Sequence, residues 1–192
     1  MTEIGLIRHG TTAWNKELRA QGSSDIPLDE EGLMQAKQVA ERLNSEKWNV
    51  IYSSDLSRAR QTAEAIAIKI GIPVQVDSRL RELGGGLIEG TTEEERLRKW
   101  GREWRSLDLD MESSESLIAR GTSFMEDIMG KHENQRILIV SHGAFLRRLL
   151  KNIVPHFNFE ESLKNTSVTS LVRSDKQWDC NLYNCTKHIV ES

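Results

Sequence analysis

Ile4-Gly5-Leu6-Ile7-Arg8-His9-Gly10 is a short apolar stretch that ends in an Arg-His-Gly tripeptide. The apolar part is too short for a helix, and an uninterrupted apolar run closed by glycine is typical of a parallel strand that is buried on both faces. Arg8 and His9 would follow the carboxyl end of this strand. Open α/β sheets bind their ligands at that edge, so this stretch predicts both a fold class and the position of a site.

Two other stretches resemble the first. Residues 137–143 read Ile-Leu-Ile-Val-Ser-His-Gly and lead into an apolar helix, while residues 50–54 read Val-Ile-Tyr-Ser-Ser and lead into a helix that opens near Ser57. If the three strands lie side by side, their carboxyl ends present two arginines and two histidines to one crevice: Arg8, His9, Arg58 and His142. Such a pocket suits an anion, and a phosphoryl group fits best.

Each of these residues, taken alone, has an ordinary structural explanation. A strand-end His-Gly is more often a turn with a solvated imidazole, and Arg58 alone is more often a surface residue of a helix. The functional interpretation depends on all of them falling at the same structural position.

Residues 84–90 form a glycine-rich run whose spacing does not fit a dinucleotide-binding fingerprint. It predicts a loop that positions Glu82.

The bulk properties are those of an ordinary soluble protein. The chain has 192 residues, of which 38% are hydrophobic and 29% charged, with a net charge of -3. This length predicts one domain spanning residues 1–192, and the charge argues against nucleic acid as a partner. Because the first strand begins almost at the amino terminus and no apolar run is long enough for a membrane span, we expect a cytoplasmic protein with no membrane partner. The oligomeric state stays open.

Cys180 and Cys185 are the only cysteines. Their spacing, with no neighbouring ligands, favours neither a zinc site nor a disulfide framework. We therefore expect two reduced thiols.

Strands and helices alternate along the chain. Asp29 is a plausible N-cap for a helix between residues 25 and 48 that buries Leu33, and Gly71 is a plausible stop for a helix over residues 58–70. Further helices are expected at residues 92–107, 114–129 (ending at Gly130) and 144–150, with a strand at 74–76. Residues 168–172 and 178–183 predict a hairpin around Ser174-Asp175-Lys176. This order predicts a three-layer α/β/α sandwich with a mostly parallel central sheet.

The motifs, in their order, resemble the histidine phosphatase superfamily, which includes the cofactor-dependent phosphoglycerate mutases. The opening block is Arg8-His9-Gly10-Thr11-Thr12-Ala13-Trp14-Asn15, followed by Gln21-Gly22, Asp25-Ile26-Pro27-Leu28, Gly32 and Gln35-Ala36. The later blocks lie at residues 52–63, 80–82 with 89–90, 140–143 and 165–169. The resemblance extends over almost the whole chain.

The resemblance implies a metal-independent reaction with no cofactor on a small phosphomonoester. His9 would attack phosphorus and form a phosphohistidine, Arg8 and Arg58 would clamp the phosphoryl oxygens with forked donors, and His142, if protonated, would stabilise charge in the transition state. Glu82 would protonate the leaving oxygen, with Glu89 as a substitute acid. The positions that would contact phosphate or substrate are Arg8, Asn15, Gln21, Gly22, Arg58 and Gly143.

Several alternatives remain open. Glu82 could instead form a salt bridge with a neighbouring arginine. Where the family commonly has aromatic residues beside the acid, this chain has Gly85 and Ile88. The cationic segment from Arg96 to Arg105 predicts either a lid that selects aromatic or polyanionic leaving groups or a solvated helix whose tryptophans lie in the core. Hydrolysis is favoured over mutase activity and over an inert phospho-ligand-binding protein.

Overall fold

A computed structural model, which describes residues 1–175 and 177–190, contains a six-stranded mixed sheet in the order β3-β2-β4-β1-β5-β6. The strands are β1 (Thr2–Arg8), β2 (Val50–Ser53), β3 (Val74–Val76), β4 (Arg136–Ser141), β5 (Val168–Ser174) and β6 (Gln177–Cys185). The α-helices are α1 (Ala13–Lys16), α2 (Glu30–Asn44), α3 (Ser57–Ile70), α4 (Glu93–Trp100), α5 (Ser114–Lys131) and α6 (Gly143–Ile153). No helix in the described part of the chain is long and apolar enough to cross a membrane.

The four strands β3, β2, β4 and β1 are parallel, whereas β5 and β6 add an antiparallel edge beside β1. The predicted neighbours β2, β4 and β1 are adjacent, and their carboxyl ends lie at one edge of the sheet. The prediction of a mostly parallel sheet is confirmed. The predicted hairpin is also confirmed, because β5 and β6 form it. One of the predicted turn residues, Lys176, lies outside the described residues.

Helices cover both faces of the sheet because the central strands are apolar on both sides. Alternate residues of β4 point to opposite faces: Ile137 and Ile139 join one core cluster, and Leu138 and Val140 join the other. The first cluster is closed by α5 and α6, and the second by α2 and α3. This arrangement is the predicted three-layer α/β/α sandwich.

The two helices that precede and follow β2 begin and end as the sequence predicts. Asp29 caps α2 by accepting a hydrogen bond from the backbone N–H of Gly32 at 2.8 Å. Gly71 ends α3 in the left-handed conformation, with φ of 76°. The expected burial of Leu33 is wrong: its side chain is 45% exposed, because the buried face of α2 follows Ala36, Val39, Ala40 and Leu43.

One predicted helix end is also wrong. The helix expected over residues 92–107 stops at Trp100, because Gly101 has a φ of 78°, and only a short 3-10 turn at Trp104–Ser106 follows. Helix α5 ends at Lys131, within one residue of the predicted end at Gly130.

Candidate active site

The carboxyl ends of β1, β4 and β2 bring the two histidines together. The backbone N–H of His9 donates to the carbonyl oxygen of Ser141 at 3.0 Å, and that of Ser54 donates to Val140 at 3.1 Å. These bonds hold the three strand ends in register. The ring centres of His9 and His142 lie 5.2 Å apart, with their planes inclined by 57°.

His9 is 2% exposed and is held in one tautomer. Its Nδ1 lies 2.6 Å from the carbonyl oxygen of Gly10. Because a carbonyl oxygen can only accept, Nδ1 carries the proton and Nε2 carries the free lone pair of the neutral ring. Burial, together with the positive charges of Arg8 and Arg58, lowers the pKa of His9 well below its usual 6.5.

His142 is fully buried at the end of β4 and is the N-cap residue of α6. Its Nε2 lies 2.9 Å from the hydroxyl oxygen of Ser54. Burial and the charge of Arg58 lower the pKa of His142 well below 6.5, so this ring is neutral at neutral pH in the free site.

Both arginines bond to carbonyl groups of nearby loops. The terminal nitrogens of Arg58 donate to the carbonyl oxygens of Ser24 at 2.7 Å and Gly22 at 2.8 Å, and Nη1 of Arg8 donates to Leu163 at 2.5 Å. Each terminal nitrogen of Arg58 therefore uses one of its two N–H groups on a loop carbonyl. Burial lowers the pKa of Arg58 to about 10 and also lowers that of Arg8.

Three buried nitrogens at this site have no hydrogen-bond partner among the described residues: Nε of Arg8, Nε of Arg58 and Nδ1 of His142. A buried polar group without a partner is costly, and a buried guanidinium more so. A bound oxyanion would offer acceptors to the two guanidinium nitrogens, and to Nδ1 of His142 when that nitrogen carries the ring proton. The site therefore has the donors and the charge of an oxyanion pocket.

Glu82 lies at the amino terminus of α6. Its carboxylate accepts hydrogen bonds from the backbone N–H groups of Leu83 at 2.8 Å, Ala144 at 3.1 Å and Phe145 at 2.7 Å. The salt bridge considered above is not formed with the adjacent arginine, because Arg81 pairs with Asp55 at 2.5 Å. Gly143 opens the same helix, and a Cβ there would lie 3.2 Å from Nε of Arg8, so the missing side chain lets the guanidinium approach.

Arg120 of α5, which the sequence did not single out, holds the segment that carries Glu82. It donates to the carbonyl oxygens of Arg79 at 2.7 Å, Arg81 at 2.8 Å and Glu82 at 3.0 Å. Its guanidinium also forms a bidentate pair with Glu112, at 2.8 and 2.9 Å, and lies 4.9 Å from the ring centre of Phe145. One side chain thus joins the Glu82 segment to the helix that Glu82 caps.

The remaining predicted positions form the loop beside His9. The Asn15 side chain accepts from the backbone N–H and the hydroxyl of Thr12, and the hydroxyl of Thr12 also lies 3.0 Å from Oε1 of Gln21. Asn165, another residue missed as a site candidate, donates to the carbonyl oxygen of His9 at 3.0 Å and lies 3.3 Å from Oδ1 of Asn15. The only sequence signal for a role of Asn165 at the site was its position in the block at residues 165–169 that resembles the superfamily.

Glu89 supports this loop. Its carboxylate accepts from the backbone N–H groups of Ser23 at 2.7 Å and Gly85 at 3.0 Å, and from the hydroxyl of Ser24 at 2.5 Å. Gly22 has a φ of 51°, and a Cβ there would lie 2.1 Å from Oε1 of Glu89. The carboxylate of Glu89, the proposed substitute acid, is thus bonded to the loop. These bonds lie next to the carbonyl groups that accept from Arg58.

The cationic segment after this loop has a small core of its own. Trp104 is 6% exposed, packs with Ile88 and Leu109, and donates from its indole N–H to Glu93 at 3.1 Å. The guanidinium groups of Arg96 and Arg105 lie 4.9 and 4.3 Å from its ring centre. Trp104 therefore matches the core alternative, whereas the lid remains a hypothesis.

No group of three or more His, Cys, Asp or Glu side chains within residues 1–175 and 177–190 is arranged to hold a metal ion.

The histidine phosphatase superfamily (branch 1) profile matches residues 4–186. The chain belongs to the histidine phosphatase superfamily. Its resemblance to that family, inferred from the ordered motifs, is confirmed.

Three proteins illustrate the range of relatives within the superfamily. Phosphoglycerate mutase-like protein 4 of Arabidopsis thaliana is 36% identical over 99% of this chain and 88% of its own length. The mycobacterial glucosyl-3-phosphoglycerate phosphatase in complex with VO3 is 25% identical, with a TM-score of 0.87 over 96% of this chain and 99% of the other. A phosphoserine phosphatase mutant from Entamoeba histolytica in complex with phosphoserine is 28% identical, with a TM-score of 0.81 over 99% and 100%.

The structure explains one departure of this chain from the common pattern of the superfamily. Gly85 replaces an aromatic residue, and a Cβ at this position would lie 2.7 Å from Cγ of Glu89. The loop therefore passes too close to Glu89 for a large side chain.

Proposed function

We propose that this chain is a metal-independent phosphatase that hydrolyses phosphomonoesters through a phosphohistidine on His9. The observation that carries the proposal is the set of three buried nitrogens, from Arg8, Arg58 and His142, that have no partner among the described residues, together with the 5.2 Å between the rings of His142 and His9. Phosphoryl transfer depends mainly on positioning and charge stabilisation. This pocket supplies donors for the phosphoryl oxygens and an uncharged ring to attack phosphorus.

In the first step, the lone pair on Nε2 of His9 attacks phosphorus in line with the ester oxygen. The P–N bond forms as the P–O bond breaks, and the leaving alkoxide takes a proton from the carboxyl group of Glu82. In the second step, water attacks phosphorus and returns a proton to Glu82, and Nε2 departs as neutral His9. The hydrogen bond from Nδ1 to Gly10 keeps the same nitrogen available throughout.

The test uses p-nitrophenyl phosphate with EDTA present. The wild type should release nitrophenolate, and His9→Ala should release none above background. Denaturation at alkaline pH during turnover with a ³²P-labelled substrate should leave phosphate on the wild-type protein only, and this phosphate should be stable to alkali and labile to acid. Release by His9→Ala, or loss of wild-type activity in EDTA, would refute the proposal. No release by either protein would favour the inert, ligand-binding alternative.

A phosphoglycerate mutase is the second candidate, because a relative that is 36% identical carries a mutase-like name. A mutase must return the phosphoryl group to a bound intermediate rather than to water. Incubating 3-phosphoglycerate with 2,3-bisphosphoglycerate separates the two: isomerisation faster than phosphate release identifies a mutase.

We further propose that residues 1–192 act as one domain in the cytoplasm. Cys180 and Cys185 are both unpaired, which is in keeping with a reducing compartment.

A further inference from the structure

A turn at residues 165–167 binds the backbone that carries the reactive histidine. The backbone N–H of Thr166 donates to the carbonyl oxygen of Arg8 at 2.9 Å and, at 3.3 Å, to that of His9. The side-chain amide of Asn165 donates to the same carbonyl oxygen of His9 at 3.0 Å. The position of the His9 backbone therefore depends on the conformation of this turn.

Thr166 has a backbone conformation that its own side chain disfavours. Its φ is 54°, in the left-handed region, where a β-branched residue is a rare outlier. Its side chain is fully buried. Residues in such conformations persist only where the surrounding contacts fix them, and they cluster at functional sites. The contacts of Thr166 therefore determine whether the turn keeps its shape.

The hydroxyl of Thr166 contacts a histidine from the segment that follows β6. Nε2 of His188 lies 3.3 Å from this hydroxyl, and Nδ1 of His188 lies 3.0 Å from Nη1 of Arg42 on α2. Because an arginine can only donate, Nδ1 accepts and Nε2 carries the ring proton. The hydroxyl of Thr166 donates to the carbonyl oxygen of Asn165 at 2.8 Å, so it accepts from His188. The hydrogen bonds therefore run in one direction, from α2 to the turn.

Two further observations show that His188 is held in this tautomer. Nη1 of Arg42 also donates to the carbonyl oxygen of Cys185 at 3.1 Å, which anchors the guanidinium to the end of β6. Burial, followed by the charge of Arg42, lowers the pKa of His188 to about 4, so the ring is neutral at neutral pH. A neutral ring is necessary, because a protonated Nδ1 could not accept from a guanidinium.

We propose, on the basis of the function proposed above, that His188 is a positioning residue: through Thr166 it holds the backbone of His9 where Nε2 can attack phosphorus in line. A misplacement of about 1 Å at a reacting atom can cost about 10²-fold in rate. Two of the groups that would bind the phosphoryl oxygens, Arg58 on α3 and His142 at the start of α6, belong to elements that this turn does not hold. Loss of His188 should therefore slow the attack more than it weakens the binding of an anion.

The test compares His188→Phe, which keeps an aromatic ring but neither hydrogen bond, with His188→Gln, whose amide nitrogen corresponds in position to Nε2. Nitrophenolate release from p-nitrophenyl phosphate, with enzyme in excess over substrate, measures the phosphorylation step. Its rate constant should fall about 10- to 100-fold in His188→Phe, the Kd for sulfate should change by a smaller factor, and His188→Gln should recover part of the rate. An unchanged rate in His188→Phe, or equal losses of rate and sulfate affinity, would overturn the proposal.

Gln38→Met is the matched control. Gln38 lies four residues before Arg42 on the same helix and donates to the carbonyl oxygen of Val190 at 3.3 Å. Its loss loosens the same segment from α2 without removing either bond of His188. The rate and the Kd for sulfate should both stay at their wild-type values. A loss of rate as large as that in His188→Phe would mean that the segment acts only as structural cover, and the proposal would be wrong.

Arg42→Met gives an independent test should His188→Phe fail to fold. Without the guanidinium, Nδ1 of His188 is no longer held as an acceptor, so the ring can take the other tautomer, in which Nε2 cannot donate to Thr166. NMR of ¹⁵N-labelled histidine, assigned with His188→Gln, should show His188 protonated on Nε2 in the wild type. In Arg42→Met it should show a mixture of tautomers together with a lower phosphorylation rate.

A wild-type His188 protonated on Nδ1, or a wild-type rate in Arg42→Met, would also overturn the proposal. Failure of the phosphatase proposal is recognised separately. In that case the wild type itself would show no His9-dependent release from p-nitrophenyl phosphate, whatever the tautomer of His188.

Discussion

His9 is both a nucleophile candidate and a buried base between two guanidinium groups. Its sequence context predicted the position but not the protonation state, which depends on burial and on charges from distant parts of the chain. In the structure, burial and the charges of Arg8 and Arg58 favour the neutral ring. A ring that stays neutral in moderately acidic solution can attack phosphorus there.

We therefore expect the pKa of His9 to lie below 6.5, with only the Nδ1-protonated tautomer populated above it. ¹⁵N-labelled histidine and NMR titration of the free protein measure both properties, and His9→Ala identifies the resonances. The acidic limb of kcat/KM, corrected for ionisation of the substrate, should likewise lie below pH 6.5. A midpoint at or above 6.5, or a ring protonated on Nε2, would contradict this expectation.

At the scale of elements, Arg120 fixes the geometry of Glu82 through three backbone carbonyl groups and through Phe145, whose N–H bonds to the same carboxylate. Arg120→Met should displace this segment. Alkyl phosphates depend on protonation of the leaving oxygen more than p-nitrophenyl phosphate does. We therefore expect kcat for glycerol 3-phosphate to fall about 10- to 100-fold more than kcat for p-nitrophenyl phosphate. Glu82→Gln should show the same pattern more strongly, with about 10²- to 10⁴-fold loss on the alkyl ester.

Arg79→Met is the control for this prediction. The guanidinium of Arg79 also lies over a phenylalanine, Phe124, at 5.5 Å, but it bonds to the side chains of Asp77, Ser123 and Asp127 and not to the carbonyl groups that Arg120 holds. Its loss should lower the free energy of unfolding without changing the ratio of the two activities. Equal losses on both substrates in Arg120→Met would show a general structural role rather than a positioning one.

The elements that the sequence predicted are those whose signals are local. Apolar runs located β1, β2 and β4, and the caps Asp29 and Gly71 located the ends of two helices. The break at Gly101 was missed, because periodic charge on both sides of a glycine is compatible with one long helix. Arg120 could not be found, since its partners are carbonyl groups about 40 residues earlier, and carbonyl groups carry no residue-type signal.

At the scale of the whole molecule, the site joins distant parts of the chain and places two neutral histidines beside two arginines, of which Arg58 is fully buried. The pKa values of His9 and His142 are lower in the folded protein than the usual 6.5, so the unfolded chain binds more protons at mildly acidic pH. Their contribution to stability is complete above about pH 6.5 and is lost as the pH falls below it. His188, whose pKa burial lowers to about 4, acts in the same direction.

An oxyanion in the pocket should oppose this loss. Sulfate is a suitable probe, because its charge is constant between pH 5.5 and 8. At 100 times its Kd it should stabilise the fold by about 2.7 kcal/mol, which corresponds to a rise in Tm of about 5–10 °C for a chain of this length. At one fixed sulfate concentration, the rise should be larger at pH 5.5 than at pH 8, since a bound anion favours protonated His9 and His142 and so lowers the Kd at acidic pH. Sodium chloride at equal ionic strength controls for screening, and Arg58→Met should remove the sulfate effect. An equal rise in Arg58→Met would mean that sulfate acts outside the pocket, and the four side chains would then not form one anion site.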